Sequence, residues 1–210
     1  IFTSFIEAKE NKKVEVVNSV NSIEREEFRE VWVASVGNID WPSEKGLSIS
    51  EQKQEFIEIL ENVQKWNMNA VVVQIKPAAD SFYPSKYAPW SAYLTGTQGK
   101  DPGYDPLKFM VDEAHKRGIE FHAWFNPYRV GITTDKTKLS KDNIAFSKPK
   151  WMIQYGGKLY LNPGEQGVDD YVVDEIMEVV NNYDIDGVHM DDYFYPYKVK
   201  DQEYPDQSTY

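Results

Sequence analysis

The chain has 210 residues, 41% of them hydrophobic, and a formal net charge of −11 at pH 7. This length supports one sizeable core, and the negative charge repels phosphate backbones, so we expect no nucleic-acid partner. The absence of cysteine excludes disulfides and thiolate chemistry, and no run approaches the roughly 18 apolar residues of a membrane-spanning helix.

Residues 1–28 mix charged and small polar residues with scattered valines, without a sustained hydrophobic period. Such a segment buries little apolar surface, so we predict a linker or pro-segment here. It also lacks the basic start and apolar stretch of a signal peptide, so we expect that any such peptide has been removed. Residues 29–210 are predicted to form the folded domain.

The first strand is predicted over residues 30–36, where β-branched and aromatic residues alternate with others. Ser48 or Ser50 is expected to cap the helix that follows, because Ser48 and Glu51 have the spacing of a capping box. Apolar residues recur on one face of that helix: Phe56, Ile59, Leu60, Val63 and Trp66. The apolar run 70–77 then predicts a strand buried on both faces.

Asp105 and Pro106 predict the start of a second helix, and Gly118 predicts its end. Residues 119–128 predict the third strand, and residues 186–191 predict the fourth. A third helix between them is indicated by Val172, Ile176, Val179 and Val180. This alternation of strands and helices is typical of right-handed βαβ units and a parallel sheet.

The predicted fold class is therefore α/β, a parallel (β/α) barrel of the TIM type. A closed barrel typically needs about 250 residues and eight strands, so the four predicted strands correspond to the first half of one. An open doubly wound sheet is the alternative, but the turn SVGNIDWPSEKG lacks its glycine-rich phosphate sequence. A half barrel exposes two sheet edges, so self-association is expected if the half barrel is real.

Polar and aromatic residues follow all four predicted strands. The carboxyl ends of parallel barrel strands meet at one rim, where barrel enzymes keep their active sites. Singly, each residue has an ordinary structural explanation, such as a turn or core packing, but four such strand ends together indicate a site. These residues are Ser35, Asn38, Asp40 and Trp41; Gln74, Lys76 and Asp80; His122, Trp124, Asn126, Tyr128 and Arg129; and His189, Asp191, Asp192 and Tyr193.

Strand alternation places His189 and Asp191 on one face and Val188 and Met190 on the other. The two apolar residues suit the layer beneath the helices, so His189 and Asp191 are expected to face the barrel axis. Asp191 is therefore the predicted reactive carboxylate. Its neighbour Asp192 is also a catalytic candidate, but it points away from Asp191. A helix cap or a salt bridge is the competing role for Asp192.

Glycoside hydrolysis uses two carboxyl groups about 5–5.5 Å apart for retention or about 6.5–9.5 Å apart for inversion. Asp80 is the local candidate for the second group, and the competing role is an aspartate that fixes its own loop. In a half barrel the general acid could also lie outside this chain.

Four stretches resemble glycosyl hydrolase-like family ten: REVWVASVGNIDWPS (29–43), VVVQIKPAADSFYPSKYAPWSAYLTG (71–96), DPGYDPLKFMVDEAHKRGIEFHAWFNPYRV (101–130) and DGVHMDDYFYP (186–196). The resemblance implies a TIM barrel in a bacterial protein that is secreted or a lipoprotein, located outside the cell, in the envelope or in the periplasm. Some members are assigned to cutting peptidoglycan glycan strands. The family barrel has four further strands, whose residues cannot be transferred to this chain.

The expected activity is hydrolysis of a cell-wall glycan without a cofactor, with Asp191 as the attacking or stabilising carboxylate. VHMD (188–191) is also similar to more distant sugar-cleaving barrels, in which a basic residue stands two positions before the nucleophilic aspartate. The predicted substrate-binding residues are Gln74, Lys76, Trp90, His122, Trp124, Asn126, Arg129, His189 and Tyr193.

Two alternatives remain open. Metal catalysis would use His122, His189, Asp191 and Asp192, but the sequence has no HxH or HExxH spacing, so no metal is expected. A carbohydrate-binding domain without catalysis, or an incomplete fragment of the enzyme, is the other possibility.

Overall fold

The computed structural model describes residues 27–191 and 195–209. Its strands and helices in chain order are β1 (Glu30–Val33), α1 (Ile49–Lys65), β2 (Ala70–Lys76), α2 (Ala92–Thr95), α3 (Pro106–His115), β3 (Glu120–Phe125), β4 (Arg129–Gly131), α4 (Ile144–Ser147), β5 (Met152–Tyr155), β6 (Lys158–Leu161), α5 (Val168–Asn182) and β7 (Gly187–Met190). The parallel sheet has the order β1-β2-β3-β7, and a second, antiparallel sheet has the order β4-β6-β5. Of the predicted pro-segment, residues 1–26 lie outside the described part.

The central strand β2 is buried at every position, as its apolar sequence AVVVQIK predicts. Val73 of β2 pairs with Val33 of β1 on one side and with Ala123 of β3 on the other. Apolar residues of three helices cover one face of this sheet and join it in a single core cluster that includes Phe56, Leu60, Met110, Phe121 and Val179. The predicted parallel α/β sheet is thus confirmed.

The predicted helix caps are confirmed in detail. Ser48, and not Ser50, caps α1: its hydroxyl accepts a hydrogen bond from the Glu51 amide at 3.3 Å, and the Glu51 carboxylate accepts from the Ser48 amide at 2.8 Å. Asp105 caps α3 by accepting from the Lys108 amide at 3.0 Å. These bonds, which are reciprocal only at α1, satisfy amides that have no partner within the helix itself.

All four predicted strands are shorter in the structure, the first and the third by three residues or more. The first strand ends at Val33, and residues 36–38 form a 3-10 turn in which Gly37 has a φ of 67°, a conformation that favours glycine. The third ends at Phe125 rather than Tyr128. The antiparallel sheet was not predicted, because its strands of three or four residues are too short to establish a hydrophobic period.

One apolar face of β7 and α5 is uncovered among the described residues. Val188 and Met190 lie on the face predicted to meet helices, yet they are 39% and 44% exposed. On α5, Val173, Met177 and Val180 are also exposed, so Val180 does not share the buried position of Val179. A further strand and helix would cover this surface in a closed barrel. None of the described helices is long and apolar enough to cross a membrane.

A buried ion pair ties the end of β2 to α5. Lys76 Nζ lies 2.8 Å from Glu175 Oε1, and the two side chains are only 2% and 1% exposed. The ammonium group also donates to the carbonyl of Ala78 at 3.0 Å. Burial raises the pKa of Glu175, and the charge of Lys76 opposes that shift.

We expect Lys76→Met to lower the free energy of unfolding by about 3–5 kcal/mol, because it leaves the Glu175 carboxylate buried without its cation. The double variant Lys76→Met with Glu175→Leu should recover most of that loss, since neither charge then remains. Urea denaturation of Lys76→Met, of Glu175→Leu and of the double variant measures the coupling free energy between the two side chains. A single variant as stable as wild type would contradict the structural role of this pair.

Candidate active site

The Gln74 side chain at the end of β2 connects three segments of the chain. Its Oε1 accepts from the amides of Ser35 at 3.1 Å and Val36 at 2.9 Å, and its Nε2 donates to Asn126 Oδ1. The Ser35 hydroxyl in turn donates to the Gln74 carbonyl at 2.7 Å. Gln74 is 1% exposed, so these bonds form away from competing water and fix the orientation of the amide.

Asn126 extends these hydrogen bonds to the fourth parallel strand. Its Nδ2 donates to Asp191 Oδ1 at 2.8 Å, directly after β7. Arg129 donates from one guanidinium nitrogen to Asn126 Oδ1 at 3.3 Å and to the Pro77 carbonyl at 3.2 Å. These hydrogen bonds therefore join the carboxyl ends of all four parallel strands, and they hold one oxygen of the half-buried Asp191 carboxylate. We call the set of residues that form them the strand-end row: Ser35, Gln74, Asn126, Arg129 and Asp191.

An aromatic cluster lies on the same face of the sheet, where Trp124 and His189 stand two residues before Asn126 and Asp191. The His189 ring meets Trp32 with the ring centroids 4.5 Å apart, and Trp124 lies 5.2 Å from Trp32 and 6.0 Å from His189. Trp124 Nε1 and His189 Nε2 are buried and have no hydrogen-bond partner within the described residues. The three rings thus pack against one another next to the strand ends that carry Asn126 and Asp191.

Asp80 lies in the loop after β2 and is 4% exposed. Gln98 Nε2 donates to its Oδ2 at 3.2 Å, whereas Oδ1 has no hydrogen-bond partner in the part of the chain that the structure describes. Burial raises the pKa of this carboxyl group, and the Gln98 amide, the Lys76 charge, the Ser91 hydroxyl and the Ala92 backbone amide only partly oppose the shift. Asp80 also lines a cleft of about 530 Å³, together with Tyr93.

Tyr93, which lines this cleft, and Tyr160, which lines a separate cavity together with Arg129, were not predicted from the sequence. Burial raises the pKa of Tyr93, Asp80 adds to the shift, and Arg129 opposes it. Burial likewise raises the pKa of Tyr160, again against Arg129. The Arg129 charge therefore acts on both hydroxyls. Neither tyrosine stands in a motif that could have indicated this position.

Lys76 was predicted to bind substrate beside Gln74, but its side chain turns to Glu175 instead. The register of β2 against β3 shifts between Gln74 and Lys76, and such an irregularity breaks the alternation that would place both side chains on one face. With 2% of its surface exposed, Lys76 is placed for a structural role.

Two other predicted residues, His122 and Trp90, lie apart from the strand-end row. His122 is four residues before Asn126, about 13 Å along the strand, where its Nε2 is 2.9 Å from Glu120 Oε2. Trp90 lines a different cleft of about 650 Å³. Asp192 and Tyr193 fall outside the described residues, so their predicted roles stay predictions.

No three histidine, aspartate or glutamate side chains within residues 27–191 and 195–209 are grouped so that they could hold a metal ion. Of the four ligands considered from the sequence, His122 is turned to Glu120 and His189 is packed between tryptophans. The described site therefore offers carboxyl, amide and guanidinium groups as its polar chemistry.

The fold is similar to part of the barrel in solved enzyme structures. A maltogenic α-amylase, AmyB from Thermotoga neapolitana, superposes with a TM-score of 0.51 at 14% identity, covering 80% of this chain and 40% of that one. The GH36 α-galactosidase AgaA from Geobacillus stearothermophilus gives 0.50 at 12% identity, covering 78% and 21%. At such identities the likeness shows the fold alone, part of a TIM barrel, as predicted.

The family Glycosyl hydrolase-like 10 matches residues 27–210, and the chain belongs to this family. It is 64% identical over 185 residues to the glycosyl hydrolase YngK of Bacillus subtilis, covering 88% of this chain and 36% of that protein. It is 40% identical over 184 residues to the glycosyl hydrolase DigH of Escherichia coli, covering 80% of this chain and 42% of that protein. The chain thus spans well under half the length of these relatives, and the predicted family is confirmed.

Replacing Gln74 by Met should destabilise the protein by about 1–3 kcal/mol for each buried partner left without a hydrogen bond. The amides of Ser35 and Val36 should also exchange their hydrogens faster. Urea denaturation and hydrogen exchange measure the two effects. The control is Gln54→Met, because Gln54 bonds to Glu58 on the exposed face of α1. Equal stability and equal exchange in both variants would contradict the role given to Gln74.

Proposed function

We propose that the protein is a glycoside hydrolase that acts on a bacterial cell-wall glycan, such as peptidoglycan strands or a related polysaccharide. The observation that carries this proposal is the hydrogen bond from Asn126 to Asp191, at the end of a row that crosses all four parallel strand ends. Membership of a glycosyl hydrolase-like family supports it. A substrate of this kind lies outside the cytoplasm, so we also propose a location in the envelope, in the periplasm or outside the cell.

Asp191 is the proposed nucleophile or charge stabiliser. The oxocarbenium-like transition state of glycoside cleavage carries positive charge at the anomeric carbon, which a carboxylate attacks or stabilises. The amide of Asn126 holds one Asp191 oxygen, so the carboxylate is oriented before the sugar arrives. Arg129, bonded to the same Asn126, supplies a cation for polar substituents of the sugar.

Asp80 is the proposed proton donor to the leaving-group oxygen. A carboxyl group whose pKa is raised by burial keeps its proton nearer neutral pH, as a general acid requires. Its Oδ1 has no partner among the described residues, and the residue lines a cleft large enough for a sugar. After protonating the glycosidic oxygen, Asp80 would recover a proton from the water that completes hydrolysis.

Asp191→Asn should lower kcat on the order of 10³-fold or more, with little change in glycan binding, because the amide keeps the shape of the carboxylate but not its charge. The assay incubates purified glycan strands, stripped of peptides, with each protein and identifies the products by mass spectrometry. Asp184→Asn makes the same chemical change on a side chain that is 97% exposed and should leave turnover as it is.

Equal turnover by the Asp191→Asn variant and wild type would reject Asp191. Binding of the strands by wild type without cleavage would instead favour the alternative that this chain is a carbohydrate-binding domain without catalysis.

Asp80→Asn tests whether Asp80 is a proton donor or only fixes its loop. Because its pKa is raised, the folded protein binds this proton more tightly than the unfolded chain, and the charge on Asp80 destabilises the fold as pH rises through the folded pKa. The variant should therefore be more stable than wild type at pH 7, and the difference should vanish below the ordinary aspartate pKa. Its turnover should fall about 10²–10⁴-fold.

Asp186→Asn is the control, because we expect it to change stability at pH 7 in the opposite direction. Burial raises the pKa of Asp186, but hydrogen bonds from the Phe121 amide and from His115 outweigh that effect and lower it. This variant should be less stable than wild type at pH 7, with a difference that vanishes as the pH falls. An Asp80→Asn variant that loses stability in the same way would show that Asp80 anchors its loop.

A further inference from the structure

The cleft beside Asp80 has a charge opposite to that of the protein. The whole chain carries a net charge of −11, yet two lysines, Lys45 and Lys138, line this cleft of about 530 Å³. The one carboxylate among its described lining residues is Asp80, which is 4% exposed. A cation pair at the mouth of a concave surface concentrates the field there and attracts an anion.

Neither of these two lysines forms an ion pair within the described residues. Lys76, Lys108 and Lys116 each lie within 2.9 Å of a carboxylate oxygen. Lys138 does share the field of Asp135, whose pKa is lowered mainly by hydrogen bonds from Thr137 and to a smaller extent by Lys138.

The rest of the lining matches a sugar more closely than a simple ion. Hydroxyl groups are contributed by Thr97, Thr133 and Thr137, and a ring face by Tyr93. Asp80 adds a buried oxygen, Oδ1, that has no partner within the described part of the chain. Sugar sites combine such precisely placed polar groups with an aromatic or apolar wall.

We propose that this cleft binds a sugar residue that carries a carboxylate, which pairs with Lys45 and Lys138 while the ring hydroxyls bond to the threonine side chains. The inference rests on the proposed function, since the acidic sugar would be a neighbouring unit of the glycan cut at Asp191. The two sites are close in the chain: Arg129 of the strand-end row is followed directly by Val130 and Gly131, which line the cleft. The two lysines would then select acidic glycans over neutral ones.

The test compares two tetrasaccharides of identical sugars, one with free carboxylates on alternate units and one with the same groups as methyl esters. Titration calorimetry on the Asp191→Asn variant of the chain measures binding without turnover. We expect the acid to bind about tenfold more tightly than the ester at low salt, and the difference to shrink at high salt.

Adding Lys45→Gln and Lys138→Gln should reduce the preference to less than about twofold and leave the affinity for the ester unchanged. Both lysines are exposed, so the variant should keep its urea midpoint. Lys141→Gln is the matched control, because Lys141 lines the separate cleft that contains Trp90.

Equal affinity for acid and ester, no binding of either, or a preference that survives the double lysine change would each overturn the inference. A preference for the acid in a protein that cuts no glycan would uphold the inference and reject the proposed function. Cleavage of the glycan without any preference for the acid would uphold the proposed function and reject the inference.

Discussion

The amide of Gln74 is the constraint on which the strand ends depend. It is a single buried side chain that uses both its oxygen and its nitrogen, accepting from the loop after β1 and donating to Asn126 after β3. An uncharged amide can do both at once, whereas a carboxylate donates nothing and an ammonium accepts nothing. The position of Asn126, and through it that of Asp191 and Arg129, follows from this one orientation.

Two carboxyl groups of the same residue type acquire different properties from their surroundings. Asp191 is half-buried, receives an amide hydrogen bond and stands at the end of a strand. Asp80 is almost fully buried, and burial raises its pKa. Environments that separate two carboxyl groups in this way suit one for a charged role and the other for proton donation. Both Asp80 and Arg129 influence the pKa of Tyr93: the carboxyl group raises it and the guanidinium group opposes the shift.

The sequence predicted those features that depend on local patterns. The parallel strands and the caps at Ser48 and Asp105 follow from periodicity and capping chemistry, and the structure has them. The Lys76–Glu175 pair joins residues 99 positions apart, a distance at which no sequence period operates. The turn of Lys76 away from Gln74 depends on a shift in strand register, and alternation arguments assume that no such shift occurs. Tyr93 reaches the site through tertiary packing alone.

Asp191 stands on the least protected strand of the parallel sheet. The outer face of β7 presents Val188 and Met190 to solvent, so packing on that side contributes little to its position. Pairing with β3, the contact of His189 with the two tryptophans and the bond from Asn126 hold it from the inner side. A strand restrained on one face has more freedom to tilt than one packed on both, because close-packed neighbours are what restrict such motion. The geometry of the carboxylate therefore rests on the hydrogen-bonded row more than on the core, and whatever covers the apolar face of β7 and α5 would tighten it further.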